Sequence, residues 1–310
     1  MNQTIGVYIH IPFCERKCYY CDFVSYEKKQ DTIEAYIQAL CQEILQNAEI
    51  LSSNSIQTIY IGGGTPSCID SKYIVQVLQM LQLFTGDKQE STTEITIEVN
   101  PNSVTKEKLL AYKEAGINRI SIGLQSTHNH ILKTIGRLHT YEDFLQGLEK
   151  IKEVGFDKVS VDLMYPLPNL TLEAFQQSIQ QVMKLTTKYP ISHISVYNLE
   201  IHEGTKLEFL IDEGYVTMVS EETEYAMKEW LENELQNSGF LRYEISNYAK
   251  PGFESKHNLH YWNQGSYLGF GVAASSFFLR FSLYQYAFLR RIYIQNTTVT
   301  ALCHRTRTIR

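Results

Sequence analysis

Apolar strand-like segments and amphipathic helical segments alternate six times between residues 5 and 198, and this rhythm restricts the fold more than any other feature. The predicted strands are 5–11, 56–61, 94–99, 117–124, 158–164 and 191–198. The predicted helices are 32–51, 70–84, 105–115, 129–134, 141–154 and 171–187, with Asp70 capping the second and Gly155 ending the fifth. In the first helix, Leu45 belongs to the apolar positions at helical spacing, and Cys41 is expected to be a small core residue. Crossovers of these lengths suit parallel pairing. The pattern therefore predicts an α/β fold built as a whole or partial β/α barrel.

The rhythm changes after residue 200, which predicts a second region. Helical periodicity covers residues 207–212 and 221–236, and residues 241–246 form a strand-like segment. A chain of 310 residues is long enough for one large domain and an appendage. We expect a barrel over residues 1–200, a C-terminal extension over 201–273 and a separate segment over 274–310.

Three cysteines, Cys14, Cys18 and Cys21, follow the first predicted strand within eight positions. Thiolates spaced C-x3-C-x2-C on a loop are typical ligands of an iron–sulfur cluster. Three ligands leave one iron of a four-iron cluster open for a substrate or cofactor. Zinc is an alternative, although it usually takes four ligands, and three reduced thiols without metal are another. The spacing favours a [4Fe–4S] cluster.

Polar or glycine positions interrupt the ends of the predicted strands. They are the cysteine loop, the run Gly62-Gly63-Gly64, and the side chains of Glu98, Gln125 and Asp162. A β/α barrel builds its site where its strands end at their carboxyl side. We therefore expect these positions to form one ring of site residues, although each taken singly fits a solvated strand end.

Composition limits the function classes. The net charge is −6, which gives no electrostatic support for general nucleic-acid binding. No apolar run approaches the roughly 20 residues of a membrane helix, and no secretory signal precedes the cysteine loop. Clustered cysteines without a disulfide framework fit a reducing compartment. We expect a cytoplasmic protein without an integral membrane segment.

Seven segments together resemble the radical S-adenosylmethionine (SAM) proteins of the oxygen-independent coproporphyrinogen oxidase-like group. These segments are 8–23, 61–67, 98–101, 119–126, 136–137, 161–164 and 257–262, within residues 5–271. The Cys-Asp-Phe sequence at 21–23 and the His-Asn-x-x-Tyr-Trp pattern at 257–262 resemble the heme chaperone type. The resemblance implies a radical SAM partial (β/α)6 barrel of the TIM type with a small α+β C-terminal extension.

The resemblance also implies the cofactors. The three cysteines would hold the [4Fe–4S] cluster, whose open iron would chelate SAM, and an electron would then cleave SAM to a deoxyadenosyl radical. The glycine run would let backbone approach the methionine moiety. The residues implied to contact SAM are Tyr8, Tyr20, Gly63, Gly64, Thr65, Glu98, Gln125, Arg137, Asp162 and Val196. A structural hydrogen bond or salt bridge is the alternative for each of them.

Two departures separate this chain from the true oxidases of the group. Phe23 stands where they have a fourth cysteine, and only 13 residues precede Cys14 where they carry a longer segment. Both favour heme binding and transfer, with coproporphyrinogen III oxidation as the alternative. The resemblance implies His257 as axial heme ligand, with Tyr261 and Trp262 packing on the porphyrin. A His257 that only makes structural hydrogen bonds is the other possibility.

The end of the chain no longer resembles the family from about Ala274, and no Asp or Glu follows Glu254. A change of reading frame near residue 275 is one hypothesis, which would make the protein a degenerate, inactive product. The expected partners are heme, an unidentified heme-acceptor protein and an electron donor such as a flavodoxin or ferredoxin.

Overall fold

The computed structural model describes residues 3–85, 93–278 and 281–284. Its strands are β1 (Thr4–Ile11), β2 (Phe13–Cys14), β3 (Tyr26–Glu27), β4 (Ser55–Gly63), β5 (Glu94–Val99), β6 (Arg119–Gln125), β7 (Val159–Tyr165), β8 (Ile191–Asn198), β9 (Leu241–Arg242), β10 (Asn247–Ala249), β11 (Tyr267–Phe270), β12 (Ser275–Phe278) and β13 (Phe281–Tyr284). Its helices are α1 (Gln30–Gln46), α2 (Ala48–Ser53), α3 (Ser71–Thr85), α4 (Lys106–Glu114), α5 (Asn129–Thr134), α6 (Tyr141–Val154), α7 (Leu172–Leu185), α8 (Lys206–Asp212), α9 (Glu221–Asn237) and α10 (Lys256–Trp262). No helix within these ranges is long and apolar enough to cross a membrane.

The predicted α/β alternation is confirmed. The six predicted strands appear as β1, β4, β5, β6, β7 and β8, with helices between them. The predicted ranges of β5, β8, α5 and α6 agree with the structure residue for residue. Capping residues mark one end of two predicted helices. Asp70 accepts the backbone N–H of Lys72 at 2.9 Å before α3, and Gly155 ends α6 in the left-handed region.

The described residues divide into two compact units. Unit 1 comprises those within Met1–Cys14, Val24–Thr96 and Lys256–Arg310, and unit 2 those within Glu15–Phe23 and Ile97–Ser255. Strand β5 begins in unit 1 and ends in unit 2. The domain boundaries expected near residues 200 and 273 remain a prediction.

Unit 1 is built around β1, which pairs in parallel with β4 and with β11. Its side chains alternate between two faces. Ile5, Val7 and Ile9 lie on one face and are fully buried. Tyr8 and His10 lie on the opposite face. One face of this strand therefore belongs to the core, and the other carries polar and aromatic groups.

Unit 2 contains the parallel strands β6, β7 and β8, followed by β10, which is antiparallel to β8 and to β9. One face of β6 is apolar, with Ile120 and Ile122 fully buried. The other face carries Arg119 and Ser121, which are also buried. Buried polar side chains need hydrogen-bond partners, so this face is a candidate for function.

The predicted helix over residues 32–51 is divided at Asn47. The amide of this residue donates to the carbonyl of Glu43 at 2.9 Å, and its backbone N–H donates to the carbonyls of Ile44 and Leu45. A side chain that bonds to nearby backbone groups competes with the hydrogen bonds of the helix. Leu45, one of the predicted apolar-face residues, is 46% exposed, so that assignment was wrong. Cys41 is buried in α1 as predicted.

The predicted strand over residues 241–246 was also wrong, because β9 ends at Arg242 and β10 begins at Asn247. The carboxylate of Glu244 accepts the backbone N–H groups of Ile245 at 2.8 Å and Ser246 at 2.9 Å. These donors are thereby occupied by a side chain, and the apolar pattern alone did not reveal it.

The predicted C-terminal segment over residues 274–310 lies mostly outside the described residues. Its described part consists of β12 and β13, which pair antiparallel to each other, and β12 also pairs with β11. Residues 279–280 and 285–310 are not described. The hypothesis of a changed reading frame near residue 275 therefore stays a prediction.

Replacing Thr140 by Ala should reduce stability through loss of a capping box. The Thr140 hydroxyl accepts the backbone N–H of Asp143 at 3.2 Å, and the Asp143 carboxylate accepts the backbone N–H of Thr140 at 2.8 Å. We expect urea unfolding to show a loss of about 1 kcal/mol in the free energy of unfolding.

Thr134→Ala is the matched control, because the Thr134 hydroxyl bonds only to the His130 carbonyl one turn earlier in a short helix. Its free energy of unfolding should stay within about 0.5 kcal/mol of wild type. Equal losses in the two variants would contradict the capping account.

Candidate cofactor site

Cys14 lies at the end of β2 in unit 1 and is buried. Its Sγ is 3.6 Å from the hydroxyl of Thr65. The backbone N–H of Gly64 donates to the Ile11 carbonyl at 2.9 Å, and that of Thr65 donates to the Phe13 carbonyl at 2.8 Å. The glycine run therefore lies directly against the strand that carries the first cysteine.

Gly64 is required by this close approach. A Cβ atom at Gly64 would lie 2.7 Å from the carbonyl oxygen of Phe13 and 3.1 Å from the sulfur of Cys14. Backbone cannot move aside as a flexible side chain can. The sequence predicted that the glycine run brings backbone close to SAM, and the structure gives this glycine a packing role beside the first cysteine.

His10 orients Tyr8 on the polar face of β1. The Nε2 atom of His10 is 2.8 Å from the Val24 carbonyl, which can only accept, so Nε2 carries the proton. The Nδ1 atom then accepts from the Tyr8 hydroxyl at 3.0 Å. Burial lowers the pKa of His10, which keeps the ring neutral. Gly63, at φ 112°, lies against this ring, and a Cβ there would be 2.6 Å from it.

Arg137 holds the second cysteine in unit 2. Its Nη1 donates to the sulfur of Cys18 at 3.6 Å, and its Nη2 donates to the Asn100 side chain at 2.6 Å and to the Gly123 carbonyl at 3.1 Å. Burial alone would lower the pKa of Arg137, but Cys18 and Tyr20 beside it raise that pKa above its ordinary value. The guanidinium is thus fixed beside the sulfur of Cys18.

Tyr20 lies beside Cys18 and Arg137. Its predicted contact with SAM stays a prediction. Burial raises the pKa of the Tyr20 phenol, and Cys18 raises it further. The phenol is therefore neutral at pH 7. Cys21 follows at the end of a tight turn in which its backbone N–H donates to the Cys18 carbonyl at 3.3 Å.

Tyr19 fixes the cysteine loop to the rest of unit 2. Its backbone N–H donates to the Ile135 carbonyl at 3.1 Å, and its carbonyl accepts from the backbone N–H of Leu207 at 2.8 Å. Gly136, at φ 77°, lies against the Tyr19 ring, where a Cβ would be 2.5 Å away. The Lys206 ammonium lies 4.0 Å from the centre of the same ring. Gly136 therefore serves loop packing.

His139 positions Arg137 from the other side. The Arg137 Nε donates to His139 Nδ1 at 3.3 Å, so Nε2 carries the proton and donates to the Leu124 carbonyl at 3.2 Å. Burial and then the charge of Arg137 lower the pKa of His139 to about 3. A neutral imidazole of fixed tautomer thus orients the guanidinium.

Gln125 has a strained backbone and an unsatisfied side chain. Its φ is 62°, a region that non-glycine residues rarely adopt. Its buried Oε1 has no hydrogen-bond partner among the residues that the structure describes. A Cβ at Gly123 would lie 2.9 Å from Gln125 Nε2 and 3.2 Å from Arg137 Nη2. Strain and an orphaned acceptor are typical of a ligand site.

Asp162 lies on β7 with serine hydroxyls around its carboxylate. Ser121 donates to the two carboxylate oxygens at 3.1 and 3.0 Å, and Ser160 is 3.4 Å from one of them. Burial raises the pKa of Asp162, and hydrogen bonds from Ser195 and the other two serines oppose that shift. The hydroxyl-binding role predicted for Asp162 remains a prediction.

Two further predicted SAM contacts also lie in unit 2. Glu98 is half-buried near the end of β5. Val196 is buried in β8, and its backbone N–H donates to the Ser246 carbonyl at 2.8 Å. Neither position identifies a ligand by itself, so both roles stay predictions.

His257 lies in unit 1 beside an aromatic cavity of about 300 Å³. The cavity is lined by Tyr8, Tyr60, His257, Asn258, Tyr261, Tyr267, Ala273 and Ser275. The His257 ring stacks on Tyr60 with a centroid distance of 5.2 Å and meets Tyr261 edge-on at 4.5 Å. Tyr8, predicted to contact SAM, thus lines the same cavity as the predicted heme ligand.

The two ring nitrogens of His257 have different surroundings. Nδ1 is 2.8 Å from the hydroxyl of Thr58, whereas the buried Nε2 has no hydrogen-bond partner in the described ranges. Burial, and to a smaller extent His260, lowers the pKa of His257 to about 3. The imidazole is therefore neutral at pH 7, which is the form that ligates iron.

The predicted site residues are thus grouped within each unit. Unit 1 brings Cys14 together with Gly64 and Thr65, and Tyr8 with His257. Unit 2 brings Cys18 together with Tyr20, Arg137 and Gln125. Cys14, Cys18 and Cys21 form no disulfide with any of the described residues. No three His, Cys, Asp or Glu side chains of the described residues are placed as ligands of one metal ion, so the shared cluster remains a prediction from the cysteine spacing.

Sequence reasoning missed the groups that orient these side chains. They are His10, Thr58, Asn100, His139 and Tyr60. His10 lies on the polar face of β1, and Thr58 lies on β4. A polar residue in an otherwise apolar strand was a usable sequence signal for both. Asn100 and His139 lie in loops, where periodicity gives no signal.

Comparison with known proteins places these observations in a family. The model of the radical SAM superfamily matches residues 8–182. The heme chaperone HemW of Bacillus subtilis is 37% identical over 272 residues, which cover 88% of this chain and 70% of the relative. The heme chaperone HemW of Escherichia coli is 32% identical, with 87% and 69% covered.

A solved structure agrees in fold. The radical SAM enzyme coproporphyrinogen III oxidase (HemN) from Escherichia coli superposes with a TM-score of 0.78 at 23% identity, and 91% of this chain and 67% of that chain are covered. The predicted radical SAM fold class is confirmed by this likeness.

Replacing His139 by Gln should reduce the loss of stability at acidic pH. The pKa of His139 is about 3 in the folded protein and 6.5 as its ordinary value. The unfolded chain therefore binds more protons between these values, and stability falls as pH decreases from 6.5 towards 3. Between pH 7 and pH 5 this group contributes a loss of about 2 kcal/mol.

Urea unfolding at the two pH values measures the effect. Gln can donate to Leu124 and accept from Arg137, so His139→Gln keeps both bonds and should lose less stability on acidification than wild type. His130→Gln, at an exposed position, is the matched control and should behave as wild type. A His139→Gln protein with the full acid sensitivity would contradict the assignment.

Proposed function

Because the chain belongs to the radical SAM superfamily and, within it, to the heme chaperone HemW family, we propose that it binds heme and passes it to an acceptor protein. Radical SAM membership implies a [4Fe–4S] cluster and SAM. The observation that carries the heme proposal is the His257 Nε2 atom, buried at an aromatic cavity without a hydrogen-bond partner among the described residues.

The surroundings of His257 suit a heme ligand. The Thr58 hydroxyl lies at Nδ1, as a second group usually does for a ligating histidine. The backbone N–H of His257 donates to the buried carboxylate of Glu94 at 3.2 Å, which fixes the start of α10. Thr58 thus holds the imidazole, Glu94 holds the backbone that carries it, and Nε2 is the nitrogen left for iron.

The size of the cavity limits how a porphyrin is bound. A volume of about 300 Å³ is at the small end of ligand sites. We infer that the cavity takes only the part of the macrocycle nearest to His257. Tyr261 is 37% exposed and Trp262 is 54% exposed, so they offer aromatic surface to the remainder.

The cluster proposal rests on the cysteine spacing and on local chemistry. Cys14, Cys18 and Cys21 would hold the cluster, and Arg137 would stabilise the Cys18 thiolate. Gln125, Asp162 and the predicted SAM contacts would orient SAM. When bound, the cluster and SAM supply one-electron chemistry that the side chains cannot.

The partners are part of the proposal. A heme acceptor receives the bound heme, and a small electron-transfer protein such as a flavodoxin or ferredoxin reduces the cluster. Cluster ligands at Cys14, Cys18 and Cys21 have to stay reduced, which fits a reducing compartment such as the cytoplasm.

Replacing Cys18 by Ala should abolish the cluster, because two thiolates are too few to hold it. After anaerobic reconstitution, the variant should lack the broad visible absorbance and the iron and sulfide of wild type. Cys41→Ala makes the same chemical change at a buried thiol in α1 and should keep its cluster. An unchanged Cys18→Ala spectrum would remove the cluster assignment.

Replacing His257 by Ala should weaken heme binding at least about tenfold, because the iron loses its nitrogen ligand. Spectrophotometric heme titration of reconstituted protein measures the affinity, and iron analysis checks that the cluster is intact. His130→Ala removes an exposed imidazole and should titrate as wild type. Equal affinity in His257→Ala and wild type would show that His257 has a structural role only.

A further inference from the structure

A second polar assembly lies in unit 2, on the faces of β6, β7 and β8 opposite the apolar core. Polar residues occupy every second position of these strands: Arg119, Ser121, Ser160, Asp162, His193 and Ser195. Strand register places Ser160 opposite His193 and Asp162 opposite Ser195. Most of these residues are buried, so the assembly is maintained at a cost in desolvation that only hydrogen bonds offset.

A chain of three hydrogen bonds, two of them short, runs through this assembly towards Asp162. The Tyr243 hydroxyl is 2.7 Å from His193 Nε2. His193 Nδ1 is 2.7 Å from the Ser160 hydroxyl, which is 3.4 Å from Asp162 Oδ1. The chain leads from the half-buried phenol of Tyr243 to the half-buried carboxylate of Asp162.

The direction of the protons follows from the chemistry of the two ends. The Ser160 hydroxyl donates to Asp162 Oδ1, since a carboxylate oxygen accepts. Ser160 can then accept from His193 Nδ1–H, which leaves Nε2 to accept from the Tyr243 hydroxyl. The Tyr243 oxygen also accepts the backbone N–H of Ser255 at 3.3 Å. Every proton in the chain then has an acceptor.

The reverse direction serves Asp162 less well. If His193 carried its proton on Nε2, Ser160 would donate to Nδ1 and could no longer donate to Asp162. The carboxylate would then lose one of its serine donors in a buried environment, where an unmet acceptor is costly. Burial, and then the charge of Arg119, lowers the pKa of His193, so the ring stays neutral. The bond from Ser160 to Asp162 then selects the Nδ1–H tautomer.

We infer that Tyr243, His193 and Ser160 form a directed hydrogen-bond relay that positions the ionised Asp162 carboxylate to accept hydroxyl groups of SAM. His193 and Tyr243 are positioning residues, since they act through Ser160. The orientation of the relay is a property of the protein alone. Its effect on a ligand rests on the proposed SAM site.

The relay is tested first without ligand, by nitrogen-15 NMR of the histidine side chains in the full chain. We expect wild-type His193 to carry its proton on Nδ1. In Ser160→Ala, Nδ1–H loses its acceptor, so we expect a shift towards the Nε2–H tautomer, which can donate to the Tyr243 oxygen. Wild-type His193 protonated on Nε2 would overturn the relay whatever SAM does.

The relay is tested next by equilibrium dialysis with SAM and anaerobically reconstituted protein. We expect Tyr243→Phe and Ser160→Ala each to bind SAM about three- to tenfold more weakly, the effect of one hydrogen bond. The double variant should be no weaker than Ser160→Ala, because the two changes interrupt one chain in series. Effects that multiply in the double variant would contradict the relay.

Tyr225→Phe is the matched control, since the Tyr225 side chain is 67% exposed on α9. It should change neither the His193 tautomer nor the affinity for SAM. A wild-type protein that has the predicted tautomer but binds no SAM would refute the SAM site and leave the relay standing. A wild-type protein that binds SAM but has the opposite tautomer would refute the relay and leave the SAM site standing.

Discussion

The guanidinium of Arg137 is the group on which the candidate site of unit 2 depends. It donates to a cysteine sulfur, to the Asn100 side chain, to the Gly123 carbonyl and to His139. A planar group with five N–H donors can meet partners in several directions, whereas a lysine ammonium cannot hold them in fixed geometry. One side chain thereby fixes the cysteine loop, the carboxyl end of β6 and the segment that precedes α6.

The same physical device recurs at other places in the molecule. A neutral histidine with a single possible tautomer orients a neighbour: His10 orients Tyr8, and His139 orients Arg137. In each case a backbone carbonyl accepts one ring N–H, so the other nitrogen must accept. Burial keeps these rings neutral by lowering their pKa. The site is therefore positioned by these uncharged groups together with the guanidinium of Arg137.

The sequence predicted the parts of the fold that depend on local pattern. Strand–helix alternation, the caps at Asp70 and Gly155, and the burial of Cys41 follow from periodicity and from the conformational preferences of single residues. The break at Asn47 and the turn at Glu244 were not predicted, because each depends on one side chain that bonds to the backbone of neighbouring residues.

Spacing and resemblance proposed the cysteines, Arg137, Asp162 and His257 as members of the candidate site, and their roles stay predictions. The hydrogen bonds that organise these side chains could not be predicted. The groups that orient them come from distant parts of the chain: Thr58 is 199 residues from His257, and Asn100 is 37 residues from Arg137. Hydrogen bonds over such separations leave no trace in a local sequence window.

Transfer of heme without turnover is the central claim, and one anaerobic comparison tests it most directly. Reconstituted protein with SAM and a reductant is given heme in one arm and coproporphyrinogen III in the other, with apomyoglobin added afterwards as a heme acceptor. The account predicts stoichiometric heme uptake, delivery to apomyoglobin and no change in the coproporphyrinogen. Repeated oxidative decarboxylation of coproporphyrinogen with release of deoxyadenosine would contradict it.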